Sequence, residues 1–245
     1  MSRIPLVAFV LLNSLLLVNA NASETFTIKG RILAENNSPI AKVSVKVGDQ
    51  QVFSNKAGRF NIKVQVSDLY QVNLDKQNFY NSIQTFSHFE LNTENKGYGQ
   101  LTDITLVSKK KSRVMLAFGG DSMMGRRFYK PYFGDEVLIH SASKLPDSKA
   151  VVKHIKPYMS IADYAAVNLE TQVASSLPGE RAPKSVTFYS QPEILKALTW
   201  AGIDYVSLGN NHTYDYMDSG LKSTLAFLEN SSLDFSGAGF NEKEA

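Results

Sequence analysis

The chain has 245 residues, 43 % of them hydrophobic and 20 % charged, with a formal net charge of +3; that is enough apolar content for two small cores or one larger one. Lys and Arg alternate with Asp and Glu along most of the chain, so composition points away from nucleic acid as a partner. The absence of cysteine excludes disulfides, iron–sulfur clusters, thiolate zinc sites, cysteine nucleophiles and lipid attachment through an N-terminal cysteine; an exported chain of this kind is held by its cores, which fits a bacterial envelope.

Arg3 gives a positive start, Ile4 to Val18 is almost wholly apolar, and Ala20-Asn21-Ala22 is a small-residue cleavage pattern. The run is shorter than the ~20 apolar residues of a spanning helix, and its flanks suit a secretory signal. Residues 1–22 are therefore expected to be removed on export to the periplasm or cell envelope, an uncleaved signal anchor being the alternative.

Residues 23–108 are expected to form an all-β sandwich. Phe26, Ile28 and the stretch to Ile32 alternate apolar with polar, as do Val43, Val45 and Val47, then Phe60, Ile62, Val64 and Val66, then Val72 with Leu74 and Ile104 with Leu106. Glu35-Asn36-Asn37-Ser38-Pro39 and Asn55-Lys56-Ala57-Gly58 have turn chemistry. Lys29-Gly30-Arg31-Ile32, Ser38-Pro39-Ile40-Ala41 and Ala57-Gly58-Arg59-Phe60 resemble the carboxypeptidase regulatory-like domain, which implies a spacer or docking module. His88, in an aromatic-rich stretch, reads as structural or surface rather than as a ligand.

Lys109 to Arg113 reads as a solvated basic linker rather than a phosphate contact. Beyond it the period changes to that of an α/β domain over residues 114–245. Val114 to Phe118 is a continuous apolar run, as in a buried parallel strand. Helices over about 148–160, 191–201 and 219–229 then alternate with strands at Ala165 to Val167, Tyr205 to Leu208 and Leu233 to Phe235. Residues 241–245 read as the start of another helix, so the domain is expected to be incomplete at its C-terminal end.

Three polar clusters follow three of these strands: Gly119-Gly120-Asp121, Asn168-Leu169-Glu170, and Gly209-Asn210-Asn211-His212 with Asp215 three residues on. Ligands of open α/β sheets bind at that rim. Asp121 and Glu170 offer carboxylates, Asn211 an amide oxygen and His212 a nitrogen, a set suited to a divalent ion such as manganese or zinc. His212 with Asp215 is the candidate catalytic pair, and bound metal would activate water for hydrolysis. Taken singly, Asp121 reads equally as a helix N-cap, Glu170 as a surface carboxylate and Asn210-Asn211 as a turn. Met123 and Met124 read as packing residues, and Arg126, Arg127 and Lys184 as exposed candidates for an anionic substrate.

Phe118-Gly119-Gly120-Asp121 with Met124-Gly125-Arg126, Ala162-Asp163, Val167-Asn168-Leu169-Glu170-Thr171, Ala201-Gly202-Ile203-Asp204, Ser207 through Tyr216 and Gly237-Ala238-Gly239-Phe240-Asn241 together resemble the bacterial capsule synthesis CapA family, also called the poly-γ-glutamate biosynthesis PgsA family. The resemblance implies a domain similar to calcineurin-like metallophosphatases, with Asp121 as a first-strand metal aspartate, Asn168 and Glu170 in the second metal motif, and Asn211 and His212 as the Asn-His pair of the third. Position 123 holds Met where those phosphatases would offer a metal histidine, and later histidine motifs would lie beyond Ala245. Two functions follow as expectations. One is a metal-dependent hydrolase or transferase acting on a phosphoester or an amide-linked anionic polymer. The other is a non-enzymatic envelope protein that binds such a polymer or scaffolds a membrane synthesis complex.

Overall fold

The computed structural model describes residues 24–93 and 96–245; the expected signal segment, residues 1–22, lies outside them. The first part is β-rich. It contains β1 (Thr25–Ala34), β2 (Ser44–Val47), β3 (Gln50–Phe53), β4 (Arg59–Gln65), β5 (Leu69–Asp75), β6 (Ser82–Ser87), the single-turn helix α1 (His88–Leu91), β7 (Tyr98–Gln100) and β8 (Ile104–Leu106). One sheet runs β4-β1-β7, with β8 pairing the far half of β1, and the other runs β3-β2-β5-β6. Alternate residues of both sheets, among them Phe26, Ile28, Ile62, Val45, Val72 and Leu74, enclose one core. Each large apolar side chain buried there contributes about 1.5–3 kcal/mol.

The turns work as their residues dictate. Asn37 takes a positive φ of 61°, and Asn55 Oδ1 accepts from the amides of Ala57 and Arg59. Gly58 (φ 73°) closes this second turn against β1, where a Cβ would lie 2.4 Å from the Ile32 carbonyl oxygen. His88 packs edge-on to Phe26 at 4.8 Å and takes up the Tyr70 hydroxyl at 2.8 Å, a structural role.

Lys109, Lys110 and Lys111 are exposed, but the run is not solvated throughout. Arg113 grips Glu35 with both terminal guanidinium nitrogens, at 2.7 and 2.8 Å. With the hydroxyl and amide of Ser108 also donating, that grip lowers the Glu35 carboxyl to about 2. Tyr80 donates to the Arg113 carbonyl at 2.9 Å, so the β-rich part holds the entrance to the second part.

That second part is mixed α/β. Its elements are β9 (Leu116–Ser122), a 3-10 turn (Arg126–Phe128), α2 (Lys144–Val152), α3 (Lys156–Met159), β10 (Tyr164–Leu169), β11 (Gln172–Val173), β12 (Tyr189–Ser190), α4 (Glu193–Trp200), β13 (Tyr205–Ser207), α5 (Met217–Glu229) and β14 (Asp234–Ser236). β9, β10, β13 and β14 form a parallel sheet in the order β14-β13-β10-β9. Ile194, Leu195 and Leu198 of α4 and Leu225 and Leu228 of α5 join Val167, Leu169 and Val206 in a second, separate core.

Two expectations are corrected. The helix expected over 148–160 is two helices. Pro157 lacks an amide donor and fits only a first turn, so the chain restarts there as α3. The apolar run at 114–118 is an edge strand rather than a strand covered on both faces: Val114, Leu116 and Phe118 are 70, 53 and 77 % exposed, and Ala117 alone of the run packs on the core. Residues 241–245 form one hydrogen-bonded turn, the Ala245 amide donating to the Asn241 carbonyl four residues earlier.

Aspartates at the strand entrances set the register. The Asp163 carboxylate accepts from the Met115 amide and that of Asp204 from the Ala165 amide, both at 2.8 Å. Asp234 accepts from the Tyr164 hydroxyl at 2.8 Å, and this pushes the phenol up to about 12. Each carboxylate pins a neighbouring strand at the amino end of the sheet, which leaves the polar clusters together at the carboxyl end. Among the described residues, no helix is long and apolar enough to cross a membrane.

Candidate functional site

The rim begins with a bulge. Phe118 pairs with Ala166 and Asp121 with Asn168, so Gly119 and Gly120 together face the single residue Val167. A Cβ on Gly119 would lie 2.8 Å from Val167 Cγ1, so only glycine fits without displacing that side chain. The extra residue re-aims the strand end and delivers Asp121 beside Asn168. The helix-cap reading of Asp121 is set aside, since the next helical turn is capped by Gly125 with no side-chain hydrogen bond.

From Asp121 a chain of amides crosses three strand ends. The His212 amide donates to Asn210 Oδ1 at 2.9 Å, and Asn210 Nδ2 donates to Asn168 Oδ1 at 2.9 Å and to the Leu169 carbonyl at 3.0 Å. Asn168 Nδ2 in turn donates to Asp121 Oδ1 at 2.7 Å. The orientation of both amides follows from the ends of the chain. A backbone N–H and a backbone C=O fix which way Asn210 points, and a carboxylate can only accept from Asn168. Such directed chains polarise one another and act as a unit.

His212, 7 % exposed, stands behind this chain. Its ring stacks on Phe188, with centroids 4.1 Å apart. Its Nδ1 lies 2.7 Å from Oδ2 of Asp215, which has no exposed surface and also accepts from the Phe188 amide. The Lys184 ammonium sits against the other Asp215 oxygen and donates to the Asn211 carbonyl at 2.7 Å, so the buried carboxylate is neutralised in place. Because the Asp215 carboxylate can only accept, the hydrogen of a neutral ring is on Nδ1 and the lone pair on Nε2, which is 3.9 Å from Oε1 of Glu170.

Asp121, Asn168, Glu170 and His212 are thus on one rim, with Asp215 directly behind. Asn211 is exposed and meets the cluster through its carbonyl, while its neighbour Asn210 occupies the network. Lys184, expected at the surface, is committed inward to Asp215. Arg126 is exposed; it is within 5.5 Å of the Phe188 ring and donates to the Tyr132 hydroxyl at 2.8 Å. Arg127 is exposed as well. Met124 is in the core, a packing residue as expected, while Met123 is half-buried outside it, its sulfur accepting from the Gly125 amide.

Two supports carried no sequence signal of their own. Phe188 walls the imidazole. Gln172, 1 % exposed, donates to the Thr213 carbonyl and accepts from the Tyr216 amide, holding the loop that carries His212 and Asp215. Among the described residues no three His, Asp or Glu side chains converge closely enough to hold an ion by themselves. A cation on this rim would need amide oxygens as well.

The model of a family described as bacterial capsule synthesis protein PGA_cap matches residues 115–245. The capsule biosynthesis protein CapA of Bacillus anthracis is 28 % identical over 138 residues, covering 56 % of this chain and 31 % of that protein. The PGA biosynthesis protein CapA of Bacillus subtilis (strain 168) is 26 % identical over 129 residues, covering 53 % of this chain and 31 % of its own length. The chain therefore spans about a third of the length of these relatives. Among solved structures, a cohesin–X-dockerin complex from Acetivibrio cellulolyticus aligns with a TM-score of 0.30 at 17 % identity, over 38 % of this chain and 74 % of that one. The 3-chlorocatechol 1,2-dioxygenase of Rhodococcus opacus 1CP aligns with a TM-score of 0.30 at 9 % identity, over 37 % of this chain and 62 % of that one.

Proposed function

Since the chain belongs to the bacterial capsule synthesis family PGA_cap, we propose that it serves capsule or poly-γ-glutamate production at the cell envelope, its α/β part acting as a metal-dependent hydrolase or transferase on a phosphoester or an amide-linked anionic polymer. The observation that carries this reading is His212, held by buried Asp215 so that Nε2 faces Glu170 across 3.9 Å. A histidine whose other nitrogen is bonded to a carboxylate is the usual arrangement of a metal ligand. A separation of 3.9 Å is also short enough for one ion, with bonds of about 2.0–2.2 Å to nitrogen and oxygen, to touch both groups.

Asp121, Asn168, Glu170, His212 and an amide of the Asn210–Asn211 pair would hold manganese or zinc. Bound there, the ion would polarise a phosphoryl or carbonyl oxygen and lower the pKa of water. The chain's own contribution is orientation. Asp215 fixes the tautomer of His212 and opposes the charge of its imidazolium form, Phe188 keeps water from one face of the ring, and Nε2 accepts or returns a proton at the rim. His212 has one free nitrogen, so in a given state it is either a ligand or a proton carrier. A second reading, a non-enzymatic envelope protein that binds the polymer or scaffolds a synthesis complex, is favoured by the lack of three converging carboxylates or histidines among the described residues and by Met123, which offers no imidazole where the resemblance would place a metal histidine.

Calorimetric titration of the metal-free protein with manganese and zinc tests the first reading. His212 is stacked and nearly buried, so His212→Asn, which keeps a donor for Asp215, is a better probe than Ala. An affinity at least tenfold weaker in His212→Asn or Glu170→Gln is expected. Equal affinity in all three proteins, or no binding in any, removes the metal and leaves the second reading.

A further inference from the structure

The outward face of the β4-β1-β7 sheet is basic. In β1, Phe26, Ile28 and Ile32 turn to the core, so Thr27, Lys29 and Arg31 turn outward; in β4, Phe60, Ile62 and Val64 turn inward and Arg59, Asn61 and Lys63 outward. The register sets Arg59 directly opposite Arg31, Asn61 opposite Lys29 and Lys63 opposite Thr27. On the other side, β7 sets Gln100 beside Lys29 and Tyr98 beside Thr27.

Four cations therefore share two adjacent strands, and two of them form a direct cross-strand pair. Like charges so placed destabilise a sheet, at a cost comparable to the ~0.2–1 kcal/mol that an opposite-charge pair contributes. Asp103, 3.6 Å away, relieves Arg31 alone, and among the described residues no carboxylate pairs with Arg59 or Lys63. The outward residues of β2 and β5 are by contrast Ser44, Lys46, Leu69, Gln71, Asn73 and Asp75, balanced in charge. The segregation thus belongs to one face, not to composition. A groove of about 560 Å³ runs over it, lined by Lys29, Arg31, Arg59, Asn61, the single carboxylate Asp103 and Phe53, a residue 62 % exposed.

We propose that this face binds a flexible polycarboxylate chain of the glutamate-polymer type, an occupant whose chemistry rests on the capsule reading above. Cations two residues apart on a strand are about 6.7 Å apart, so they form a row rather than a pocket. A row suits a chain with a carboxylate on every repeat, which engages several cations at once and in many registers. The Arg59 guanidinium offers a forked donor that matches a carboxylate, while Arg31 already gives Nε to the Ala57 carbonyl and one terminal nitrogen to Asp103. Asn61 adds an amide donor, and exposed Phe53 meets the apolar stem of a repeat. A single small anion would leave most of the row unpaired.

The test uses the full chain and fluorescently labelled poly-γ-glutamate, with anisotropy as the readout. The Arg59→Gln/Lys63→Gln double variant is expected to bind at least tenfold more weakly and with a shallower salt dependence, while Lys46→Gln on the opposite face binds as the unaltered chain does. Both changed side chains are exposed, and melting curves confirm that the fold is kept; Arg59→Gln alone serves if the double variant melts early. No binding by the unaltered chain, no loss in the variants, or equal affinity for inorganic polyphosphate would overturn the proposal. Manganese titration of the same proteins separates the two readings. If the rim binds no metal but the basic-face variant still loses polymer tenfold, catalysis falls and this surface stands. If polymer affinity falls only in His212→Asn, the polymer belongs to the rim and this surface is overturned.

Discussion

Asp215 holds His212 from within the fold: Oδ2 is 2.7 Å from Nδ1 of a residue three positions earlier, and the carboxylate has no exposed surface. The same Oδ2 accepts from the Phe188 amide, and the other oxygen faces the Lys184 ammonium. An asparagine in this place would have to turn its oxygen to Phe188 and His212, which would point its NH₂ at Lys184, a donor against a cation. Asp215→Asn is therefore expected to destabilise by roughly 2–3 kcal/mol, below the full value for breaking a buried ion pair because Lys184 is partly exposed. Urea unfolding should show a lower midpoint at unchanged slope. An unchanged midpoint would mean that the pair contributes nothing.

Gly220 sets two effects against each other. It lies within α5, where Gly→Ala ordinarily gains about 1 kcal/mol. A Cβ there would lie 2.2 Å from Gln172 Oε1 and 2.6 Å from Gln172 Cδ. That amide is buried and bonded at both ends, to Thr213 and Tyr216, so it cannot swing aside. Overpacking of about 1–3 kcal/mol, with two hydrogen bonds disturbed, outweighs the propensity. Gly220→Ala should lower the melting temperature and weaken the rim without touching it, and a stabilised Gly220→Ala would show Gln172 to be loosely held.

The Glu35–Arg113 pair ties the β-rich part to the start of β9 and makes stability depend on pH. The Glu35 carboxyl, ordinarily near 4.5, is lowered to about 2 in the folded chain. Its contribution is therefore fully present above about 4.5 and is lost as pH falls through about 2. Comparison of Glu35→Gln with the unaltered chain should show a melting-temperature gap at pH 6 that closes as pH approaches 2. A gap independent of pH would place the effect in shape rather than charge.

How much of this could be read from the residues alone depended on which side of an element is covered. β1, β2, β4, β5 and β8 announce themselves by alternation because one face of each meets the core. β3 and β6 contain no fully buried residue, so no period marks them. At 114–118 the apolar run looks the same whether covered or open, and only the sheet order shows β9 at an edge. The basic face stayed hidden for a related reason: Lys29 and Arg31, and Arg59 and Lys63, stand at alternate positions and never form a run. At the rim, the strand-end positions of Asp121, Asn168, Glu170 and His212 were legible. The inward turn of Lys184 and the stacking of Phe188 were not, since both come from a loop that only the tertiary fold lays over His212.

Adjacent Asn210 and Asn211 give the sharpest contrast. In sequence they are equivalent, two amides before a histidine. In the fold, Asn210 satisfies the His212 amide, the Leu169 carbonyl and Asn168 Oδ1, whereas Asn211 is exposed and meets Lys184 through its backbone. Asn210→Ala would leave those partners unsatisfied at about 1–3 kcal/mol for a buried group, and about 2 kcal/mol in all is expected since the site is partly open to water. Asn211→Ala should stay within about 0.5 kcal/mol of the unaltered chain. The same two variants locate the amide that serves a cation. Loss of Asn210 frees Asn168, and through it Asp121, to reorient, so manganese affinity should fall at least tenfold in Asn210→Ala and stay within twofold in Asn211→Ala. The reverse pattern in the titration would make Asn211 the ligand, and its side chain would then have to turn toward Asp121 when metal arrives.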